Sequence, residues 1–211
     1  MMLRAAALLL LGGGLGMLGG ALAADPAAGA YMYGIDEEAS TGTFWIQEFN
    51  PVKQEEAIEY DTGIVSTGSD ADANALAFDV GRNQLLFVAG EDLPSLKLWV
   101  FDVTTKTLSV VGLYTDIGLT TPASRSDVLN NAAFFDDAYW YFENSATAVT
   151  KVQLTYTNGL PTAVASATNY PTDDPNIVNN YRSDIAIDVS TYDLVACSGV
   201  RREDILHSPL H

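Results

Sequence analysis

An all-β chain is predicted, organised as an incomplete β-propeller of four-stranded antiparallel blades with about three to four blades present. Three observations carry that prediction. Between Asn74 and Gly112 four strand-sized apolar runs are separated by Gly, Pro, Asn and Asp, residues that punctuate strands rather than helices. The chain also matches itself without a gap: Ala77-Phe78-Asp79-Val80 and Gly90 recur as Ala186-Ile187-Asp188-Val189 and Gly199, both at an offset of 109. Halfway between them Asn131-AAFFDDAYWYFEN carries a third copy, so the offset resolves into two repeats of about 50 residues.

The elements follow in chain order. Met1 to Ala23 has Arg4 as a basic lead, an apolar run through Leu8 to Leu18, and Ala21-Leu22-Ala23 as a small-residue cleavage site, which reads as a secretory signal peptide (1-23). An uncleaved anchor is the competing reading, disfavoured by the many glycines and by Asp25 and Pro26 on the exit flank. Residues 24-200 form the partial propeller domain. It opens with a blade that lacks its first strand, in which Tyr31-MYGID, Phe44-WIQEF and Glu56-AIEYD supply the other three.

The next blade is complete: Asn74-ALAFDV, Gln84-LLFVAG, Leu96-KLWVFDV and Thr107-LSVVG. Leu96, Leu98 and Val100 share one face of the third run and Lys97, Trp99 and Phe101 the other, as a period of two requires. The first two runs are continuously apolar, as in strands covered on both sides by neighbouring sheets. Asn131-AAFFDDAYWYFEN and Ala148-VTKVQLTYTNGLPTAVASA build another blade, and Ser183-DIAIDV with Asp193-LVACSG begin a fourth. Residues 201-211 abandon the alternation and hold both histidines of the chain, so they read as an irregular tail and the whole as a fragment. The alternative architectures are a small closed four-blade ring and a curved open array of sheets.

Composition excludes several functions. The net charge of −17, which becomes −18 once Arg4 leaves with the leader, repels nucleic acid and anionic headgroups and favours cations. No later stretch is long enough to cross a bilayer, so the expected product is secreted or periplasmic, with no membrane contact after cleavage and no nucleic-acid partner. A hydrophobic content of 48% allows a packed core, and the single Cys197, in a second-strand position, excludes an intrachain disulfide. With His207 and His211 both in the tail, no His-based triad or metal cluster can be assembled in the repeat body, and no catalytic residue is nominated.

What remains is oxygen chemistry. Asp70, Asp72 and Asn74 place three side-chain oxygens at alternate positions, a spacing that can converge on calcium; the same residues also make an ordinary solvated acidic turn. Asn74, Asn130, Asn131 and Asp184 stand at the starts of small-residue strands, where they would form a polar ring at one mouth of a central channel or simply cap those strands. The acidic pairs Asp36-Glu37-Glu38, Glu91-Asp92, Asp136-Asp137 and Asp173-Asp174 read as surface solvation. Trp45, Trp99 and Trp140 read as packing between sheets rather than as a ligand platform.

The repeated Ala-[Phe/Ile]-Asp-Val, a turn and an apolar strand resemble the blade motif of secreted YVTN-type propellers and the related gluconolactonase-like superfamily, over roughly Tyr31 to Gly199. That resemblance implies a calcium site at channel-lining strand starts, which maps onto Asn74, Asn130 or Asn131, and Asp184, with no glutamate at these positions. The expected function is an extracytoplasmic binding or interaction module for a protein or glycan ligand. The alternative implied by the resemblance is a calcium-dependent hydrolase or lactonase whose remaining site residues lie outside this chain.

Overall fold

The computed structural model describes residues 32–38, 40–50, 58–67, 72–120, 122, 129, 131–142, 148–171, 184–188, 193–197 and 205–209, the last three segments as backbone only. They form fourteen strands in four antiparallel sheets. The first sheet is β1 (Met32–Glu37), β2 (Thr43–Phe49) and β3 (Ile58–Val65). The second is β4 (Asp72–Asp79), β5 (Gln84–Gly90), β6 (Lys97–Asp102) and β7 (Thr107–Leu113). The third is β8 (Ala132–Phe135), β9 (Ala138–Phe142), β10 (Ala148–Thr157) and β11 (Leu160–Pro171). The fourth is β12 (Asp184–Asp188), β13 (Asp193–Cys197) and β14 (Ile205–Pro209), with β14 running beside β13 inside the compositionally distinct tail. Among the described residues no helix is long and apolar enough to cross a membrane.

Each sheet is a meander, because every connection joins strands that are neighbours in sequence. Turn chemistry sets the hairpins. Asp136 and Asp137 both hold positive φ (52° and 55°) in the two-residue link from β8 to β9, and Asn158 and Gly159 (53° and 82°) do the same from β10 to β11. These are the mirror-image turns whose twist suits paired strands. Between β6 and β7 the Asp102 carboxylate accepts from the amides of Thr104 and Thr105, and Lys106 closes the turn at φ 57°.

The second sheet is covered on both faces. Along β5 alternate side chains divide between two cores: Leu86 and Val88 join Leu98, Val100, Tyr139, Tyr141, Val152 and Leu154. Leu85, Phe87 and Ala89 join Tyr33, Phe44, Ile46, Ile64, Phe78 and Phe101. This is the physical reason for the unbroken apolar run, and it places the first sheet on one side of the second and the third on the other. Ala75 takes φ 58° at a bulge where the pairing of β4 with β5 shifts register, and its carbonyl accepts a 2.7 Å hydrogen bond from the wholly buried Tyr139 hydroxyl of the third sheet.

The sheets succeed one another in chain order, β4 lying against β1 and β8, and β8 against β12. Among the described residues the last sheet does not pack back onto the first as neighbours do, so the row stays open. This overturns the expected propeller, and with it the resemblance to YVTN-type and gluconolactonase-like proteins. In its first copy, Ala77-Phe78-Asp79-Val80, the motif encodes a hairpin whose first strand is buried and whose turn is capped by Asp79. It does not encode the angle between successive sheets, which decides whether a row closes. The open array of sheets, the alternative held in the sequence reading, is what forms.

Candidate functional site

The first sheet has one covered face and one free face. On β2 the period of two sends Phe44 and Ile46 into the core and leaves Trp45 and Gln47 on the other side. Register then decides their neighbours: Trp45 lies between Asp36 of β1 and Asp61 of β3, and Gln47 between Gly34 and Glu59. Gln47 Nε2 donates to Glu59 Oε1 at 3.1 Å, while Gly34, with no side chain, leaves the surface open beside it. Asp36, Glu38, Trp45, Gln47 and Glu59 line a cleft of about 310 Å3.

The cleft is acidic throughout. Glu38 accepts from Thr41 Oγ1 and Ser40 Oγ, both at 2.9 Å. Those two hydroxyls, the Thr41 contact first, with a smaller contribution from the Trp45 indole, hold the Glu38 carboxyl below its ordinary range. Among the described residues no lysine or arginine lines the cleft. An aromatic face ringed by carboxylates attracts a cation through both the ring quadrupole and simple charge.

A second polar cluster joins the second sheet to the third. Arg82, in the turn after β4, donates to Asp79 Oδ2 at 2.9 Å and pairs with Asp137 Oδ1 at 2.7 Å, and its guanidinium lies 4.1 Å from the Tyr156 ring centre. The hydrogen bonds Arg82 donates to Asp137 and then Asp79 raise its affinity for its proton, and burial pushes the Tyr156 hydroxyl up to about 12. Gln84 Nε2 donates to the Gly159 carbonyl at 3.0 Å in the same region. With a fixed cation, a protonated phenol and carboxylates occupied by Arg82, this cluster fastens two sheets together rather than performing proton transfer.

The residues nominated from sequence fall as follows. Asp70 and Asn130 lie outside the described residues. Asp72 is the first residue of β4, opposite Gly90, and Asn74 is half-buried two positions on, opposite Val88, just before the bulge. Asn131 is buried immediately ahead of β8, and Asp184 opens β12. Among the described residues no group of three or more His, Cys, Asp or Glu is placed to hold a metal ion.

Trp140 is buried, but its indole donates to the Phe135 carbonyl (3.0 Å) and its ring meets Tyr170, both within the third sheet. Trp99 packs as expected, against the core between the first and second sheets, its indole donating to the Ala89 carbonyl (2.9 Å). Trp45 does not, because its alternate-position partner is Gln47 rather than an apolar residue. That pairing was the available signal. Asp136 and Asp137 are exposed, as expected of a solvated turn, and they also pair with Lys151 (3.2 Å) and Arg82 (2.7 Å).

No protein-family model matches the chain, and no curated protein matches it. Among solved structures it is similar to a luciferin-regenerating enzyme, at 10% identity and a TM-score of 0.47, over 85% of this chain. The match spans 53% of that structure, about half its length, and at this similarity it carries no argument about fold or activity.

Proposed function

We propose that the chain is an exported, non-catalytic binding module that engages a basic protein surface at the cleft around Trp45. The observation that carries this reading is the cleft itself: among the described residues Asp36, Glu38 and Glu59 surround a half-buried tryptophan with no cation beside them, on the face of a sheet whose other face is core. The net charge of −17 adds long-range attraction for such a partner and repels nucleic acid. Export rests on the leader pattern of residues 1-23, and the exported product is expected to begin at Ala24 or Asp25. N-terminal sequencing of secreted material checks this, and an intact Met1 would sink it.

Binding is tested with a lysine-rich peptide and a neutral oligosaccharide as probes. The peptide should bind, its affinity should fall as salt rises, and Trp45→Ala should weaken it about thirtyfold while the thermal midpoint barely moves. Salt-independent binding of the sugar that needs Trp45 would make the ligand a glycan. Peptide binding indifferent to both salt and Trp45 would end the proposal.

A further inference from the structure

The strand β11 (Leu160–Pro171), at 12 residues, is the longest among the described residues, and it is the outer edge of the third sheet. Its inner side pairs with β10 along the whole length, with two bulges. Among the described residues its outer edge pairs with no strand, and residues 165–171 are all exposed. Leu-Pro-Thr-Ala-Val-Ala-Ser-Ala-Thr-Asn-Tyr-Pro contains no charged residue, a feature it shares with the shorter edge strand β7, although the protein carries a net charge of −17.

Two other outer edges are blunted. On β3, Glu59, Asp61 and the positive-φ Gly63 interrupt the edge. At the end of β7 the Leu113 amide is taken by Asp116 Oδ2 at 2.8 Å, and the next amide, of Tyr114, turns in to the Leu96 carbonyl at 3.1 Å. On β11 the two bulges, at Thr162 and Ala165, blunt only its first half, and from Ser166 to Pro171 the register is regular with no charged residue.

We infer that β11 is a self-association edge, at which two copies of this chain pair antiparallel about a two-fold axis and join their third sheets into one eight-stranded sheet. The occupant is a second copy because charge selects it. A strand without carboxylates is a place where two strongly acidic molecules meet without like charges in contact, and its small Thr, Ala and Ser side chains fit their own counterparts across a two-fold axis. The prolines at its ends remove donors there and limit the pairing to the segment between them, so the contact closes at a dimer.

Sedimentation velocity of the full chain over a concentration series tests the idea. A monomer–dimer equilibrium is expected, and it should tighten as salt screens the repulsion between the acidic bodies, the opposite of the salt response expected at the Trp45 cleft. Ser166→Glu combined with Thr168→Glu, two exposed positions, would set carboxylates against each other and weaken dimerisation about tenfold with the thermal midpoint unchanged. A parent that stays monomeric throughout, or a variant that pairs as tightly as the parent, overturns the proposal. Amide exchange on the unsubstituted chain gives an independent reading: residues 162–170 should gain protection as concentration rises, and unchanged exchange in the dimer would overturn it as well.

Discussion

Phe87→Ala is expected to cost about 3–5 kcal/mol, a large share of the roughly 5–15 kcal/mol that holds a domain of ordinary stability. Phe87 is wholly buried in the centre of β5, within the core shared by the first and second sheets. Its loss leaves a cavity walled by Phe44, Ile46, Phe78 and Phe101, side chains anchored on several strands that cannot all move inward together. Urea unfolding followed by far-UV circular dichroism should show the midpoint falling steeply with little change in slope. A shift equivalent to less than about 1 kcal/mol would mean that the two sheets do not pack as described.

The second large effect comes from adding a single methyl. Gly90 closes β5 beneath the 3-10 turn Leu93–Ser95, and a Cβ there would stand 2.8 Å from the Leu96 nitrogen, 2.9 Å from the Leu96 Cα and 2.9 Å from the Ser95 carbonyl carbon. All three are backbone atoms, so no side chain can swing away. Asp92 and Ser95 hold the turn by reciprocal hydrogen bonds at 2.9 Å and 3.0 Å, which stiffens it further. Gly90→Ala should therefore cost about 3 kcal/mol, at the upper end of what overpacking brings. Gly159→Ala is the comparison: φ is +82° but nothing lies within 4 Å, and the cost should be only about 1 kcal/mol of backbone strain. Equal thermal shifts for the two variants would show that the contact above Gly90 is not rigid.

The strands of the second sheet were legible to within two residues, because each is a strand-length apolar or alternating run bounded by turn residues whose φ preferences are strong. The gapless recurrence of Ala-[Phe/Ile]-Asp-Val also pointed to something physical. In its first copy Asp79 is buried, caps its own turn by accepting from the Arg82 amide at 3.1 Å, and holds the Arg82 guanidinium. Closure of the sheets was not legible, since it depends on angles between sheets that accumulate from many contacts. The Trp45 cleft was hidden for a related reason. Asp36, Trp45 and Asp61 are aligned by strand register, and register across a long connection leaves no trace in local sequence. The same holds for Arg82 and Asp137, 55 positions apart yet 2.7 Å from one another.

Because every residue of β5 from Gln84 to Gly90 is buried, that strand offers evolution no neutral site. A substitution on most strands can be absorbed by turning a new side chain toward water; here both directions lead into protein. Heritable variation is accordingly channelled to the margins of the molecule, to the free face of the first sheet and to the outer strand of the third. New binding preferences can be tried there without a penalty to folding. The sheet packed on both faces serves as the rigid frame against which those two surfaces can change.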